Sequence, residues 1–367
     1  MLRISEYIRH SLQGHPARPF PGLILIWNLT RSCNLACQHC YASAGKADPE
    51  ELSTAQALDL VPQLRSLGVR YAILSGGEPL ARRDLFELSQ ALRAQGIATS
   101  LSSNGLLITR RNLPRIAESF DYVGISIDGR QEVHDQFRGQ SGAWARSLAA
   151  LRMCHEAGLK VGVRFTLSAV TASSLPDVIA LTRQEDFPKL YISHLVYSGR
   201  GGSLAGVTPE QQRQATTLLV ESALDWQAAG EGPDVVTGNN EADAVLLLER
   251  FQARYPDQAE DLRQRLRVWG GNQAGTRMLN VDPRGNVKPD PFFVDSAGNL
   301  KERTLADIWS QSELLQQLRQ RPSTLKGPCS QCQYLDICNG NSRARSYALS
   351  GDYFQSDPSC FLSACTV

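Results

Sequence analysis

The sequence lacks a dominant charge, long apolar runs and internal repeats, and each lack removes a class of function. Lys and Arg number 38 against 37 Asp and Glu, so no global field draws the chain to nucleic acid or to an anionic lipid surface. Any anionic substrate has to be held by local arginines. No run of about 18 apolar residues occurs, and Met1 to Gly14 mixes charges without the apolar core of a secretion signal. The expectation is a cytoplasmic protein with no membrane and no nucleic-acid partner. No fixed-period repeat or low-complexity segment interrupts the 367 residues, which suffice for a barrel-sized domain and a smaller one.

What is there is cysteine in two groups. The nine cysteines are an odd number, gathered at Cys33 to Cys40 and Cys329 to Cys365 with Cys154 alone between them. In a reducing compartment that pattern favours metal over disulfides, and Cys154, on an amphipathic stretch, reads as core. Within Cys33-Asn-Leu-Ala-Cys37-Gln-His-Cys40-Tyr41 a structural zinc would need a fourth ligand. No Cys or His at suitable spacing supplies one, and His39 between two cysteines is poorly placed to join them. Three thiolates on a cubane iron-sulfur cluster leave one iron without a protein ligand, where a small chelating molecule can bind.

Residues 1–22 read as a short helix and an extended arm. From Leu23 the pattern alternates: strands near 23–29, 71–74, 97–102, 122–127, 161–167 and 190–196 are interleaved with helices near 54–67, 84–95, 110–119, 142–157 and 175–184. The expected fold is α/β, a partial (β/α)6 barrel over 23–206 with its active site at the C-terminal strand ends. Helices at 209–228 and 241–269 read as a helical insert, 207–277. Short strands at 278–281 and 285–287, a helix at 304–320 and the cysteine-rich tail complete a second unit, 278–367.

The triad followed by Tyr41 resembles the signature of the radical S-adenosylmethionine (SAM) enzymes. In that family the open iron of a 4Fe-4S cluster binds the methionine moiety of SAM, and reductive cleavage gives a 5'-deoxyadenosyl radical. Ser75-Gly76-Gly77-Glu78-Pro79 looks like the family's GGE motif, which implies that Gly76, Gly77 and Glu78 contact the SAM amino group. Tyr41, Asn104, Ser126 and Arg164 complete the expected SAM site, with Asn104 and Ser126 directed at the ribose or the methionine carboxylate and Arg164 pairing with that carboxylate. His134-Asp135-Gln-Phe-Arg138-Gly139 resembles a stretch common in members with extra clusters, and a structural role for Arg138 stands beside a cofactor contact. The tail, Cys329-x2-Cys332-x5-Cys338 with Cys360, resembles the SPASM/twitch region, which implies an auxiliary 4Fe-4S cluster on those four thiolates. Two further cysteine positions of a full SPASM region are Asp290 and Ser342 here, so the expectation is one auxiliary cluster. Cys365 reads as a free terminal thiol or a replacement for Cys360.

Met1-Leu-Arg-Ile-Ser5, Ile26-Trp-Asn-Leu-Thr-Arg31, Leu74-Ser-Gly-Gly-Glu-Pro-Leu80 and Pro289-Asp290 are similar to the NirJ family of haem d1 biosynthesis. That resemblance implies a tetrapyrrole substrate, 12,18-didecarboxysirohaem, whose propionates are attacked and eventually replaced by oxo groups, and an electron donor such as flavodoxin or ferredoxin. A decarboxylase of the alternative haem pathway and a peptide-modifying maturase are the other readings. The maturases usually carry an N-terminal peptide-binding domain, for which residues 1–22 are too short. Arg200 and Arg277 are expected to face the barrel mouth and pair with substrate carboxylates.

Overall fold

The structure, a computed structural model, describes residues 1–362; Cys365 lies outside the described residues. Among the described residues eleven strands form one open sheet: β1 (Leu2–Arg3), β2 (Leu23–Asn28), β3 (Val69–Ser75), β4 (Ala98–Ser103), β5 (Tyr122–Ser126), β6 (Val161–Leu167), β7 (Lys189–His194), β8 (Asp234–Gly238), β9 (Met278–Val281), β10 (Asn286–Lys288) and β11 (Gly298–Asn299). Their order is β1-β8-β7-β6-β5-β4-β3-β2-β9-β10-β11. Strands β2 to β8 run parallel, each beside its successor in sequence. Leu25, Trp27, Leu74, Val123, Ile125, Val163 and Ile192 are almost fully buried, as expected of parallel strands covered by helices.

The first crossover shows how the sequence specifies these elements. Ser53 caps the helix Thr54–Leu67 by accepting the Gln56 N–H, Gln56 answers with its side chain, and Gly68 ends the helix at φ +90°. Leu60, Val61 and Leu64 then lie buried.

Two expectations change. The stretch read as an all-helical insert contains β8, which joins the sheet beside β7 after the long helix Pro209–Ala229. Only Val235 and Val236 mark it, too short an apolar run to be read as a strand without its partner. The helix expected over 241–269 is divided into Asp243–Arg254 and Ala259–Trp269. Pro256 falls at the break, where it lacks the N–H a continuing helix needs. Similarly 304–320 divides at Ser312 into Leu305–Gln311 and Glu313–Arg319.

The tail is tied to the barrel's C-terminal end by buried arginines. Arg345 pairs with Asp357 at 2.6 Å and donates to the Asn239 carbonyl at 2.8 Å. Arg321 donates to Asn272 Oδ1 at 2.8 Å and to the Ala274 carbonyl at 3.0 Å. No described helix is long and apolar enough to cross a membrane.

Candidate active site

The three thiols of the first group line one cavity at the C-terminal ends of the strands, together with Gly76, Gly77, Asn104, Ser126 and Arg164. Each sulfur has its own donor. The Leu35 N–H reaches Cys33 Sγ at 3.4 Å, the Ala44 N–H reaches Cys40 Sγ at 3.3 Å, and Arg138 Nη1 reaches Cys37 Sγ at 3.7 Å. Hydrogen bonds to sulfur stabilise thiolates and tune iron-sulfur clusters, so this donor set fits the cluster that three cysteines imply. Among the described residues no group of three ligating side chains is already arranged to hold an ion, and the fit rests on the donors. Burial pushes the Cys33 thiol up to about 11, a cost that a bound metal reverses by displacing the proton.

Arg138 is positioned by a short helix, Gln131–Arg138, that the sequence reading left without secondary structure. Its Nε donates to Asp128 Oδ2 at 2.6 Å, and Asp128 Oδ1 accepts the Thr166 N–H at 2.9 Å. His134 Nδ1 accepts the Asp128 N–H at 3.1 Å, and Phe137 stacks on His39 with centroids 4.2 Å apart. The motif from His134 to Gly139 therefore supports the cysteine loop, and Arg138 belongs to the site. Arg200 also differs from expectation. It lines the cavity, but its Nε donates to the Cys37 carbonyl at 2.9 Å and its Nη1 to the Ala44 carbonyl at 2.7 Å. Its guanidinium clamps the triad loop and is not left open toward a substrate carboxylate.

The Gly-Gly pair approaches the chain that leads into the triad. Gly77 N–H donates to the Thr30 carbonyl at 2.7 Å and Glu78 N–H to the Ser32 carbonyl at 2.8 Å. Gly76 takes φ +135°, and a Cβ at Gly77 would lie 2.3 Å from the Ser32 oxygen. Only glycine permits this contact. Glu78, in contrast to its expected contact with SAM, turns inward and is fully buried. Its carboxylate accepts from Leu80 N–H, Ser103 Oγ and Asn104 N–H at 3.2, 2.9 and 2.9 Å. Burial pushes this carboxyl up to about 7 despite those donors. Glu78 thus fastens the loop after β3 to the loop after β4.

Asn104 Nδ2 donates to Asn34 Oδ1 at 2.8 Å, which links the third-strand loop of the expected barrel to the triad segment. Tyr41 donates to Asn28 Oδ1 at 3.0 Å and leans on Phe292. Ser126 pairs in register with Arg164, whose guanidinium sits 4.7 Å over the Tyr191 ring with no carboxylate partner among the described residues. It is the cavity's cation best placed to meet an anion. Arg277 does not line this cavity.

The same cavity is lined by two carboxyl groups the site reading missed, Glu241 and Asp290, 6% and 7% exposed. The signal for Asp290 was the Pro289-Asp290 dipeptide, read as a lost cysteine and as a point of family resemblance but not as a cavity residue. Burial, then the Glu241 charge, push Asp290 up to about 7 against the Phe292 and Phe293 N–H donors and the charge of Arg321. A carboxyl raised in the folded state contributes most stability below its unfolded value near 3.8, and that contribution is lost as pH rises to about 7. Asp290→Asn, which keeps an acceptor for the Phe292 N–H, therefore gains on the wild type between pH 5.5 and 8. The gain is on the order of 2 kcal/mol, a few degrees in melting temperature. Melting curves of both proteins at the two pH values check this; a constant gap would contradict it.

In the tail, Cys329 and Cys338 are nearly buried and Cys360 is 9% exposed. Cys332 N–H donates to the Cys329 carbonyl at 3.3 Å, and Cys360 N–H to the Asp357 carbonyl at 3.0 Å. Burial, then the charges of Cys360, Glu241 and Cys329, raise the Cys338 thiol well above its ordinary value, which places these sulfurs within one electrostatic neighbourhood. Ser342 caps the helix Arg343–Ser350 by accepting the Arg345 N–H at 3.3 Å.

Two family models match: the radical SAM superfamily over residues 27–180 and an iron-sulfur cluster-binding domain over 273–333. The chain is 42% identical over 376 residues to pre-heme d1 synthase of Dinoroseobacter shibae, covering 99% of this chain and 93% of that one. It is 36% identical to Fe-coproporphyrin III synthase of Methanosarcina barkeri, covering 93% and 88%. The SAM-bound crystal structure of Streptococcus suis SuiB superposes with TM-score 0.70 at 17% identity, over 98% of this chain and 80% of that one. The triad loop, the Gly-Gly contact and the tail sulfurs thus belong together: the chain is a member of the radical SAM superfamily, an enzyme that uses SAM and a 4Fe-4S cluster and carries an iron-sulfur-binding SPASM region.

Proposed function

We propose that this enzyme acts in haem d1 formation on the propionate side chains of 12,18-didecarboxysirohaem, leading to their replacement by oxo groups. The observation that carries the reading is the identity to a pre-heme d1 synthase along 99% of the chain. The cavity chemistry supports it, because the Arg164 guanidinium, with no carboxylate partner among the described residues, suits a ligand that carries carboxylates. Cys33, Cys37 and Cys40 hold the SAM-binding cluster, and Cys329, Cys332, Cys338 and Cys360 hold one auxiliary 4Fe-4S cluster. Asp290 and Ser342 have other work, in the cavity wall and in a helix cap, and supply no second auxiliary site.

Gly76 and Gly77 would hold the SAM amino group, Arg164 would pair with its carboxylate, and Asn104, Ser126 and Tyr41, which line the same cavity, would meet the rest of it. Glu78, Arg138 and Arg200 act one step back, by holding the loops that carry these groups. When bound, the triad cluster and SAM supply a hydrogen-abstracting radical and the auxiliary cluster accepts an electron. Flavodoxin or ferredoxin in the cytoplasm is the electron donor. The test is anaerobic incubation of the reconstituted enzyme with SAM, reductant and each of didecarboxysirohaem, iron coproporphyrin III and a control peptide. Mass spectrometry should show change in didecarboxysirohaem alone; change only in another substrate would replace this reading.

A further inference from the structure

A second cavity lies against the N-terminal ends of β2 and β9. Its walls come from the helix Ile4–Leu12, the arm 15–21, the helix Ala259–Trp269 and Arg277. It is stacked under the triad cavity. Gln273 and Met278 line both, and on β2 Ile24 lines the lower chamber and Ile26 the upper. Two residues along a strand are roughly 6.6 Å, so the two chambers adjoin across one short step of β2.

The lower chamber is basic and flat-walled. Arg3, Arg18, Arg265 and Arg277 line it, and Glu6 is its one carboxylate, paired with Arg3 at 2.9 Å. Arg265 is held by Asp261 at 2.6 Å and by the His15 carbonyl. Arg18 and Arg277 have no side-chain hydrogen bond or ion pair among the described residues. Arg3, Arg18, Arg265 and Arg277 share this lining with the half-buried Tyr7. Tyr7, Phe20, Trp269 and the prolines 16, 19 and 21 supply apolar surface between the charges. His10 and His15 lie with ring centroids 5.0 Å apart and planes tilted by 53°, adding no negative charge. Unpaired guanidinium groups around flat apolar surface select a planar, largely apolar molecule with carboxylates on its rim.

We infer that the lower chamber is an anchoring subsite for the substrate's carboxylates remote from the one presented to the thiol triad, with Arg18 and Arg277 as their partners. The inference rests on the tetrapyrrole reading above and gives Arg277 its role at the opposite end of the strands from that first expected. Binding the far rim there fixes which edge of the ring meets the upper chamber.

The experiment is an anaerobic absorbance titration of the holoenzyme with two probes, iron(III) coproporphyrin III with four propionates and iron(III) deuteroporphyrin with two. Arg18→Gln and Arg277→Gln should each weaken coproporphyrin binding about tenfold and together about a hundredfold. The two-propionate probe should lose less. SAM affinity, iron content and melting temperature should match the wild type, which separates a lost contact from a lost fold. Wild-type affinity of the double variant for both probes overturns the inference and leaves the proposed function standing. Failure of the wild-type enzyme to bind either probe or didecarboxysirohaem overturns both.

Discussion

Replacing Cys33, Cys37 or Cys40 by Ala abolishes reductive SAM cleavage and removes about four irons, while the tail keeps about four of its own. Each of the three sulfurs proposed as cluster ligands has its own donor, from Leu35, Ala44 or Arg138. An alanine leaves two thiolates, and no nearby Cys or His takes the vacant place; His39 stacks on Phe137 instead. The tail sulfurs sit on separate elements, in the turn Gly327–Gln331, the helix Leu335–Cys338 and the loop at Cys360. Iron per chain and 5'-deoxyadenosine formed with dithionite measure both halves. Undiminished 5'-deoxyadenosine in any of the three variants would refute the assignment. About twelve irons in the wild type would show that Asp290 or Ser342 does not close off a third cluster.

Gly77→Ala should cost SAM affinity by a hundredfold or more, about 2.7 kcal/mol. The added methyl lies 2.3 Å from the Ser32 oxygen and 2.9 Å from the Arg31 oxygen. These are backbone atoms one and two residues before Cys33, so relief requires moving the triad segment itself. The same shift weakens the Gly77-to-Thr30 and Glu78-to-Ser32 bonds. Gly96→Ala is the control: that glycine also has positive φ, +70°, but a Cβ there meets nothing within 4 Å. It should lose stability by about 1 kcal/mol through backbone strain alone and keep its SAM affinity. Equilibrium dialysis with labelled SAM compares the two, and equal affinities in both would mean that the Gly-Gly contact does not shape the site.

The strands and the two cysteine groups were legible because their signals are local. A continuous run such as Leu23 to Trp27 reports a strand of the central sheet, although only its Leu25 and Trp27 face is buried while Ile24 and Ile26 line the cavities, and Cys-x3-Cys-x2-Cys reports a shared ligand in a short loop. What stayed hidden depends on pairing. The strand Asp234–Gly238 has two buried valines and is a strand because Lys189–Ser193 lies beside it. The position of Arg277 turns on the direction of β9, which runs parallel to β2 with Ile24 opposite Met278. That direction sends Arg277 to the N-terminal end, and no periodicity within 278–281 encodes it. Glu78 was legible as a motif residue but not in its orientation, which is set by Ser103 and Asn104 about 25 residues away. The roles of Arg138 and Arg200 share that origin: both meet the cysteine loop from distant strands' loops, at Cys37 and at the carbonyls of Cys37 and Ala44.

The measurement that tests the central claim most directly uses didecarboxysirohaem deuterated on its propionate carbons, incubated anaerobically with the reconstituted enzyme, SAM and dithionite. If the triad cavity presents a propionate to SAM, the 5'-deoxyadenosine recovered carries deuterium and the tetrapyrrole loses it in step. Unlabelled 5'-deoxyadenosine beside a tetrapyrrole with its deuterium intact would contradict the account.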